Sequence, residues 1–333
     1  MEKLRRAIFY AAHCKSYKGG KRMNKMSSIK RNFLRTYGII SVLFLMILIM
    51  TIISPTFRTP ENATNILRQV SVNGILSVAM TIVILTGGID LTVGALLAVS
   101  GVIAGSILVL KPNYVIPAVV SGIVMCGAFG MMNGYFVAYR KVPPFVATLA
   151  GMTIARGFAY VYSDGKPYTL ASKGFHLIGQ GYVPIFLFLA LWGIFFLLLT
   201  KTKFGRSVYA TGGNSKAAFA AGINVKKTLL KVYILAGVLS GIAGIVLASR
   251  TNSGQPAVGI GYETDAIAAT VIGGTSMTGG VGKMWGTLVG VLIIGVLNNS
   301  LNLLDVSSYW QQIIKGLIIL GAVCFDIQSK VSD

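Results

Sequence analysis

The sequence predicts an all-α fold, a polytopic membrane helix bundle of about ten transmembrane helices with N- and C-termini cytoplasmic. Three observations carry that expectation. Of 333 residues, 54% are hydrophobic and 12% charged, with a mean hydropathy of +0.73, whereas a soluble domain carries roughly a quarter charged residues. Apolar runs of about 20 residues, the length that crosses a hydrocarbon core, recur along the chain. Basic residues gather at the ends of these runs and in alternate gaps between them.

In chain order, residues 1–36 form a basic tail, whose first 35 positions hold eleven Lys or Arg and one acid. Its stretch KLRRAIFYAA, 3–12, reads either as a short amphipathic segment on the inner leaflet or as a solvated tail. Met23 and Met26 are alternatives to Met1 as the true start. The transmembrane domain covers 37–328, with clear spans at 37–54, 90–110, 114–138, 182–200, 230–249, 285–304 and 308–325. Three less apolar runs complete the ten. These are 66–86 with Arg68 and Asn73, 144–162 with Arg156, and 264–274 ending at Gly273 and Gly274; helices shielded from lipid tolerate such residues.

The charge pattern supports an even count independently. With the N-terminus inside, 22 Lys or Arg fall on the inner side, including Arg140, Lys141, Lys283 and Lys330. Five fall outside (Arg58, Lys111, Lys166, Lys173, Arg250) and three within spans (Arg68, Arg156, Lys315). The formal charge of +21 therefore expresses membrane orientation, and no nucleic-acid partner is expected.

The segment 200–231, TKTKFGRSVYATGGNSKAAFAAGINVKKTLLK, holds seven basic residues and no carboxylate. Its centre at 215–221 is a run of small helix formers entered through Gly212, Gly213 and Asn214, which predicts a short helix outside the membrane. With Arg206, it reads as a cytoplasmic docking surface.

Glycine recurs at four-residue spacing in Gly101/Gly105, Gly130/Gly134, Gly237/Gly241 and Gly286/Gly290, the pattern of close helix packing in lipid. Two further stretches, GGIDLTVG (87–94) and GGTSMTGG (273–280), share G-G-x-x-x-T-x-G. They are either a diverged repeat or two breaks of similar composition. Both readings place broken helices at Gly87, Gly88, Asp90 and Thr92 and at Gly273 and Gly274, where exposed backbone can bind a polar solute or act as a hinge. Asp90 reads either as a helix cap or as part of a gate or solute path. Asn73, Asn133, Asn298 and Asn299 are intramembrane amides that line a polar path or bond neighbouring helices.

Several chemistries have no footing. There is no GxxxxGK[ST] phosphate loop, no HExxH, no GxSxG and no paired-carboxylate arrangement, so neither catalytic residues nor a cofactor are expected. Cys14, Cys126 and Cys324 form no disulfide framework, and His13 and His176 lack neighbours at metal-ligand spacing. The carboxylates Asp90, Glu263, Asp265, Asp305 and Asp326 lie at helix starts, ends or turns. No deep ionisable group marks a proton-coupled carrier, so the energy for any pumping is expected from another subunit.

Four stretches in order resemble the membrane permease subunits of ribose-type bacterial sugar ABC importers. They are GGIDLTVGALLAVSGVIAG (87–105), NGYFVAYRKVPPFVATLAGMTIARG (133–157), TKFGRSVYATGGNSKAAFAAGINV (202–225) and DAIAATVIGGTSMTGGVG (265–282), extending the likeness from about residue 40. The resemblance implies a multi-pass protein of the bacterial inner membrane that forms the path for a pentose or related sugar or polyol. It implies three protein partners: a second permease copy in a homodimer, a cytoplasmic ABC ATPase, and an extracytoplasmic sugar-binding protein. The family's ATPase-coupling segment falls on Gly205, Arg206, Tyr209, Gly212, Gly213, Asn214, Ala217, Ala218 and Gly222. The tail of 1–30 is longer than the family pattern. An ATPase-independent channel or facilitator predicts no partner for the 201–231 loop, and a scaffolding protein does not need the polar breaks.

Overall fold

Prolines or short polar side chains open seven of the helices, those starting at Pro60, Pro144, Lys173, Val183, Lys203, Ser215 and Val225. The computed structural model describes residues 38–331, and side-chain surroundings as far as residue 324; the tail 1–36, with His13, Cys14, Met23 and Met26, lies outside the described residues. The first helix, α1, runs Gly38–Ile53, followed by a 3₁₀ turn at Thr56–Arg58 and by α2, Pro60–Leu85. Thr59 opens α2, its hydroxyl accepting the Asn62 amide at 3.3 Å with Pro60 in the first turn. Next come α3 (Val93–Leu110), α4 (Val115–Ala138), α5 (Pro144–Ser163), α6 (Lys173–Gly179) and α7 (Val183–Lys201). Three consecutive side-chain caps then segment the polar stretch. Thr202, Asn214 and Asn224 accept the amides of Gly205 (3.2 Å), Ala217 (3.0 Å) and Lys227 (3.0 Å), opening α8 (Lys203–Gly213), α9 (Ser215–Ala220) and α10 (Val225–Thr251). The chain ends with α11 (Tyr262–Ile272), α12 (Met284–Leu303) and α13 (Ser308–Val331).

Among the described residues, seven helices are long and apolar enough to cross a membrane: α2, α3, α4, α5, α7, α10 and α12. The protein is thus an all-α membrane bundle, and the seven do not reach the ten spans expected. The difference lies in α1, α11 and α13. Helix α1 falls short in length, and α13 is described with its side chains only from Ser308 to residue 324. The run expected as a span at 264–274 is α11, with only 11 residues; at 1.5 Å per residue it reaches about 16 Å, roughly half a hydrocarbon core of about 30 Å.

The core lies where α2, α3 and α10 are enclosed by the other helices, and α4, α5 and α7 form its outer face. Polarity does not predict this layering. Helix α2 is less apolar and buried, as shielding requires, but α3 is among the most apolar and equally buried, while α5 is the least apolar of the seven and mostly exposed. Lipid is as apolar as a protein interior, so hydropathy alone does not separate the two environments.

Close crossings explain the spaced glycines. A Cβ on Gly237 of α10 would fall on the Cys126 carbonyl oxygen, and one on Gly130 of α4 would fall on that of Tyr233. On the other side, Gly286 and Gly290 of α12 meet the carbonyls of Gly273 and Ala269. Two-residue strands, β1 (Tyr168–Thr169) and β2 (Ser253–Gly254), pair antiparallel. Beyond β2 the chain passes α3 in a series of turns, with Gly254 against Gly101 and Gly259 against Gly94. That course brings the start of α11 next to the start of α3.

Candidate functional site: two helix breaks and the α8–α9 segment

Each expected break is a helix terminated in the same way. At the end of α2, the Gly88 amide donates to Val83 and the Gly87 amide to Ile84, with Gly87 at φ +78°. At the end of α11, the Thr275 amide donates to Thr270 and the Gly274 amide to Val271, with Gly274 at φ +86°. Both are Schellman terminations with glycine in the left-handed position. The left-handed glycine is the first of its pair in one motif and the second in the other, so the structural match is one residue out of register with G-G-x-x-x-T-x-G. Gly88 and Gly273 are glycines for a different reason. A Cβ on Gly88 would stand 2.6 Å from the Tyr233 hydroxyl, and one on Gly273 would overlap the Gly286 carbonyl.

The two breaks touch each other, and α8 touches both. The Gly280 amide donates to the Leu85 carbonyl at 2.9 Å, which ties the end of α2 to the loop after α11. Gly212 packs on that bond: a Cβ there would overlap the Leu85 oxygen and lie 2.6 Å from the Gly280 nitrogen. Tyr209, one turn earlier in α8, donates its hydroxyl to the Gly282 carbonyl at 3.0 Å. Burial pushes the Tyr209 pKa up, which keeps this donor protonated. A cleft of about 1310 Å³ opens beside the first break, bounded by Gly88, Pro143, Phe219 and Tyr233, with Lys141, Lys216 and Lys226 among its lining.

Asp90 is fully buried and does not cap α3 in the expected way. The helix starts at Val93, later than the span expected from 90, and the carboxylate accepts from Thr92 alone, from its amide at 2.9 Å and its hydroxyl at 2.5 Å. The other carboxylate oxygen has no hydrogen-bond partner among the described residues. Asn133 donates to the Thr92 hydroxyl at 3.3 Å, and Thr148 of α5 donates to the Ile89 carbonyl at 3.2 Å. Gly151 permits this approach, since a Cβ would meet the Asn133 amide oxygen and the Thr92 methyl.

Comparison with known proteins decides what kind of protein carries this arrangement. The family model for the branched-chain amino acid transport system / permease component matches residues 62–323. The chain is 48% identical over 291 residues to the ribose import permease protein of Bacillus subtilis, covering 85% of this chain and 90% of that protein. It is 46% identical over 294 residues to the ribose import permease protein of Haemophilus influenzae, covering 85% and 90% respectively. The chain belongs to the ribose-type family of ABC-importer permeases. It is also 38% identical over 295 residues to the L-arabinose transport system permease protein of Escherichia coli, covering 87% and 90%. No solved structure matches the chain. This permease is therefore a multi-pass inner-membrane protein and a transporter subunit rather than an enzyme.

The structure sorts the remaining expected residues of the permease. Asn298 donates to Asp265 at 3.1 Å, and Asp265 pairs with Lys315 of α13 at 3.0 Å. Asn73 is buried on α2, its amide oxygen without a partner. Asn299 lies apart from the breaks, bonded to Asn62 at 2.8 and 3.2 Å as a clamp between α12 and α2. In the α8–α9 segment, Gly205 is buried at the turn from α7, where a Cβ would meet the Leu199 carbonyl. Arg206, Gly213, Asn214 and Ala217 are exposed, and Gly222 takes φ +83° after α9. Ala218 faces inward at 4% exposure; the side chain α9 presents outward is Phe219, 74% exposed. Sequence reasoning passed over Phe219 and Tyr233. An aromatic interrupting an alanine run signals the first, whereas nothing local distinguishes Tyr233 from other apolar positions of α10. No group of three or more potential metal ligands occurs among the described residues.

Proposed function

We propose that this permease forms the translocation path of an ATP-driven importer for ribose or a closely related pentose. A second copy, a cytoplasmic ABC ATPase and an extracytoplasmic sugar-binding protein complete the importer, with lipid around the bundle. The observation that carries the reading is the contact of α8 with both breaks through Gly212 and Tyr209. A force applied at the exposed α8–α9 surface reaches both helix breaks through backbone contacts. The greater identity to ribose permeases than to the L-arabinose permease favours ribose as the solute.

In this reading the domain is 37–328, preceded by a cytoplasmic tail. Helices α1 and α13 cross the membrane, and α11 with the 273–283 loop completes one further traverse, giving ten crossings. Both termini and 201–231 then lie in the cytoplasm, as the basic-residue partition requires. Gly87, Gly88, Asp90, Thr92, Asn133, Gly273 and Gly274 form the gate, and Asn73 and Asn298 extend the polar path. Gly205, Arg206, Tyr209, Gly212, Gly213, Asn214, Ala217, Ala218 and Gly222 build the ATPase-coupling segment.

The test is reconstitution in vesicles with the ATPase and the binding protein. Labelled ribose is expected to accumulate only when both partners and ATP are present. Ribose flux through the permease alone, without ATP, would make it a facilitator and overturn the proposal.

A further inference from the structure

The Tyr233 hydroxyl is an unpartnered donor packed on the break that carries an unpartnered acceptor. Tyr233 lies on α10, eight residues in from Val225, with none of its surface exposed. Among the described residues its hydroxyl has no hydrogen-bond partner, and neither does the second oxygen of Asp90. A Cβ on Gly88 would stand 2.6 Å from the Tyr233 hydroxyl, and Asp90 follows Gly88 by two residues in the same break. A buried polar group without a partner disfavours the conformation that contains it, and two such groups at one break disfavour it twice. The segment beside them is the break that α8 holds through Leu85 and Gly280. Tyr233 and Gly88 also line the cleft.

We propose that Tyr233 is the positioning residue of the gate: when α8 moves the Gly87–Gly88 break, the Tyr233 hydroxyl donates to Asp90, and this bond holds the alternative position of the break. The inference rests on the gate reading given above. It adds a residue that acts through Asp90 and assigns the unpaired groups to one conformation of a two-state element. The present position of the break then lacks a hydrogen bond that the alternative position makes, so a small displacement of α8 suffices to shift the balance.

The test is a double-mutant cycle on ribose uptake by the reconstituted importer, with Tyr233→Phe, Asp90→Ala and the double variant. Phenylalanine keeps the volume of the core and removes only the donor. Tyr233→Phe is expected to leave the thermal midpoint of the purified permease unchanged or raised, because it deletes an unpartnered group, and to slow uptake at least tenfold. The double variant is expected to be no slower than the slower single variant, since each removes the same bond. A reporter cysteine at Thr86, in a chain lacking Cys14, Cys126 and Cys324, is expected to react faster with a thiol reagent when ATP is added. That response is expected to disappear with Tyr233→Phe. Undiminished uptake by Tyr233→Phe, multiplicative losses in the double variant, or an ATP response that survives the substitution would each overturn the inference. Absence of ATP-driven uptake by the unsubstituted importer would instead overturn the function proposed above.

Discussion

Gly212 and Gly213 are adjacent in the last turn of α8 and offer a matched pair of substitutions. A methyl group at Gly212 would overlap the Leu85 carbonyl oxygen and approach the Gly280 nitrogen to 2.6 Å, so it separates the two groups joined by the 2.9 Å hydrogen bond. Nothing lies within 4 Å of a methyl group at Gly213. Both replacements gain up to about 1 kcal/mol from helix propensity. Gly212→Ala in addition leaves a buried donor and acceptor unpaired, at about 1–3 kcal/mol. The net cost of Gly212→Ala is therefore about 0–3 kcal/mol, whereas Gly213→Ala is neutral or slightly stabilising. Any large loss of transport by the first variant must then come from the displaced contact. In vesicles containing the ATPase and binding protein, Gly212→Ala is expected to lose at least tenfold in ribose accumulated per ATP hydrolysed, and Gly213→Ala to match the unsubstituted permease. Equal behaviour of the two variants, in either direction, would refute transmission through this contact.

Four further outcomes follow from particular side chains. Lys315→Met leaves the buried Asp265 carboxylate without its ion-pair partner and is expected to cost about 3–5 kcal/mol in thermal or denaturant stability; adding Asp265→Asn should recover most of it, and no recovery would refute the pairing. Phe219→Ser removes an exposed aromatic and should weaken ATPase binding at least tenfold with stability unchanged, as expected of an interface anchor. By contrast, Ala218→Glu buries a charge within the permease itself and should lower its own stability by about 1–3 kcal/mol; both effects can be read from a pull-down and a melting curve. Cysteines at Ser215 and Lys173, both exposed, should label from opposite sides with an impermeant thiol reagent once Cys14, Cys126 and Cys324 are removed. Ser172 is a poor reporter for the outer side because it is buried, caps α6 and donates to the Pro112 carbonyl at 2.6 Å.

What the sequence made legible was set by interactions close along the chain. The runs at 114–138 and 182–200 became α4 and α7 because a spanning helix satisfies its backbone within itself. The short helix entered through Gly212 to Asn214 was legible from its composition, and Asn214 proved to be its cap. The breaks were legible as glycine pairs, but which glycine takes positive φ was not, because that depends on where α2 and α11 stop. Long-range placement was hidden. Asp265 and Lys315 are 50 positions apart, and Asp90 lies between α2 and α3 whereas Tyr233 belongs to α10, so no local periodicity pairs them. The depth of α11 was hidden too, since an apolar run followed by Gly-Gly reads the same in a full span and in a half-length helix. Local sequence could not show that the two breaks share a hydrogen bond with α8 packed across it.

That shared contact constrains how the permease moves. Where α8 meets the breaks, the groups at Gly212, Leu85 and Gly280 are backbone atoms, and the hydrogen bond between Leu85 and Gly280 contributes only about 1 kcal/mol. A bond of that size does not hold two elements together against the free energy of ATP hydrolysis. The close packing of glycine backbones, in contrast, resists compression steeply. Pushing α8 toward the breaks therefore displaces both together, whereas withdrawing it removes the packing of Gly212 and leaves the two joined by one weak bond. The Tyr209 bond to Gly282 makes withdrawal asymmetric, because it pulls the loop after α11 and has no counterpart on the α2 side. Outward movement of α8 thus acts first on the second break and inward movement acts on both, so Tyr209→Phe should impair the return of the gate more than its displacement. Single-turnover uptake that remains normal while steady-state uptake falls is the expected signature, and equal slowing of both phases would refute it.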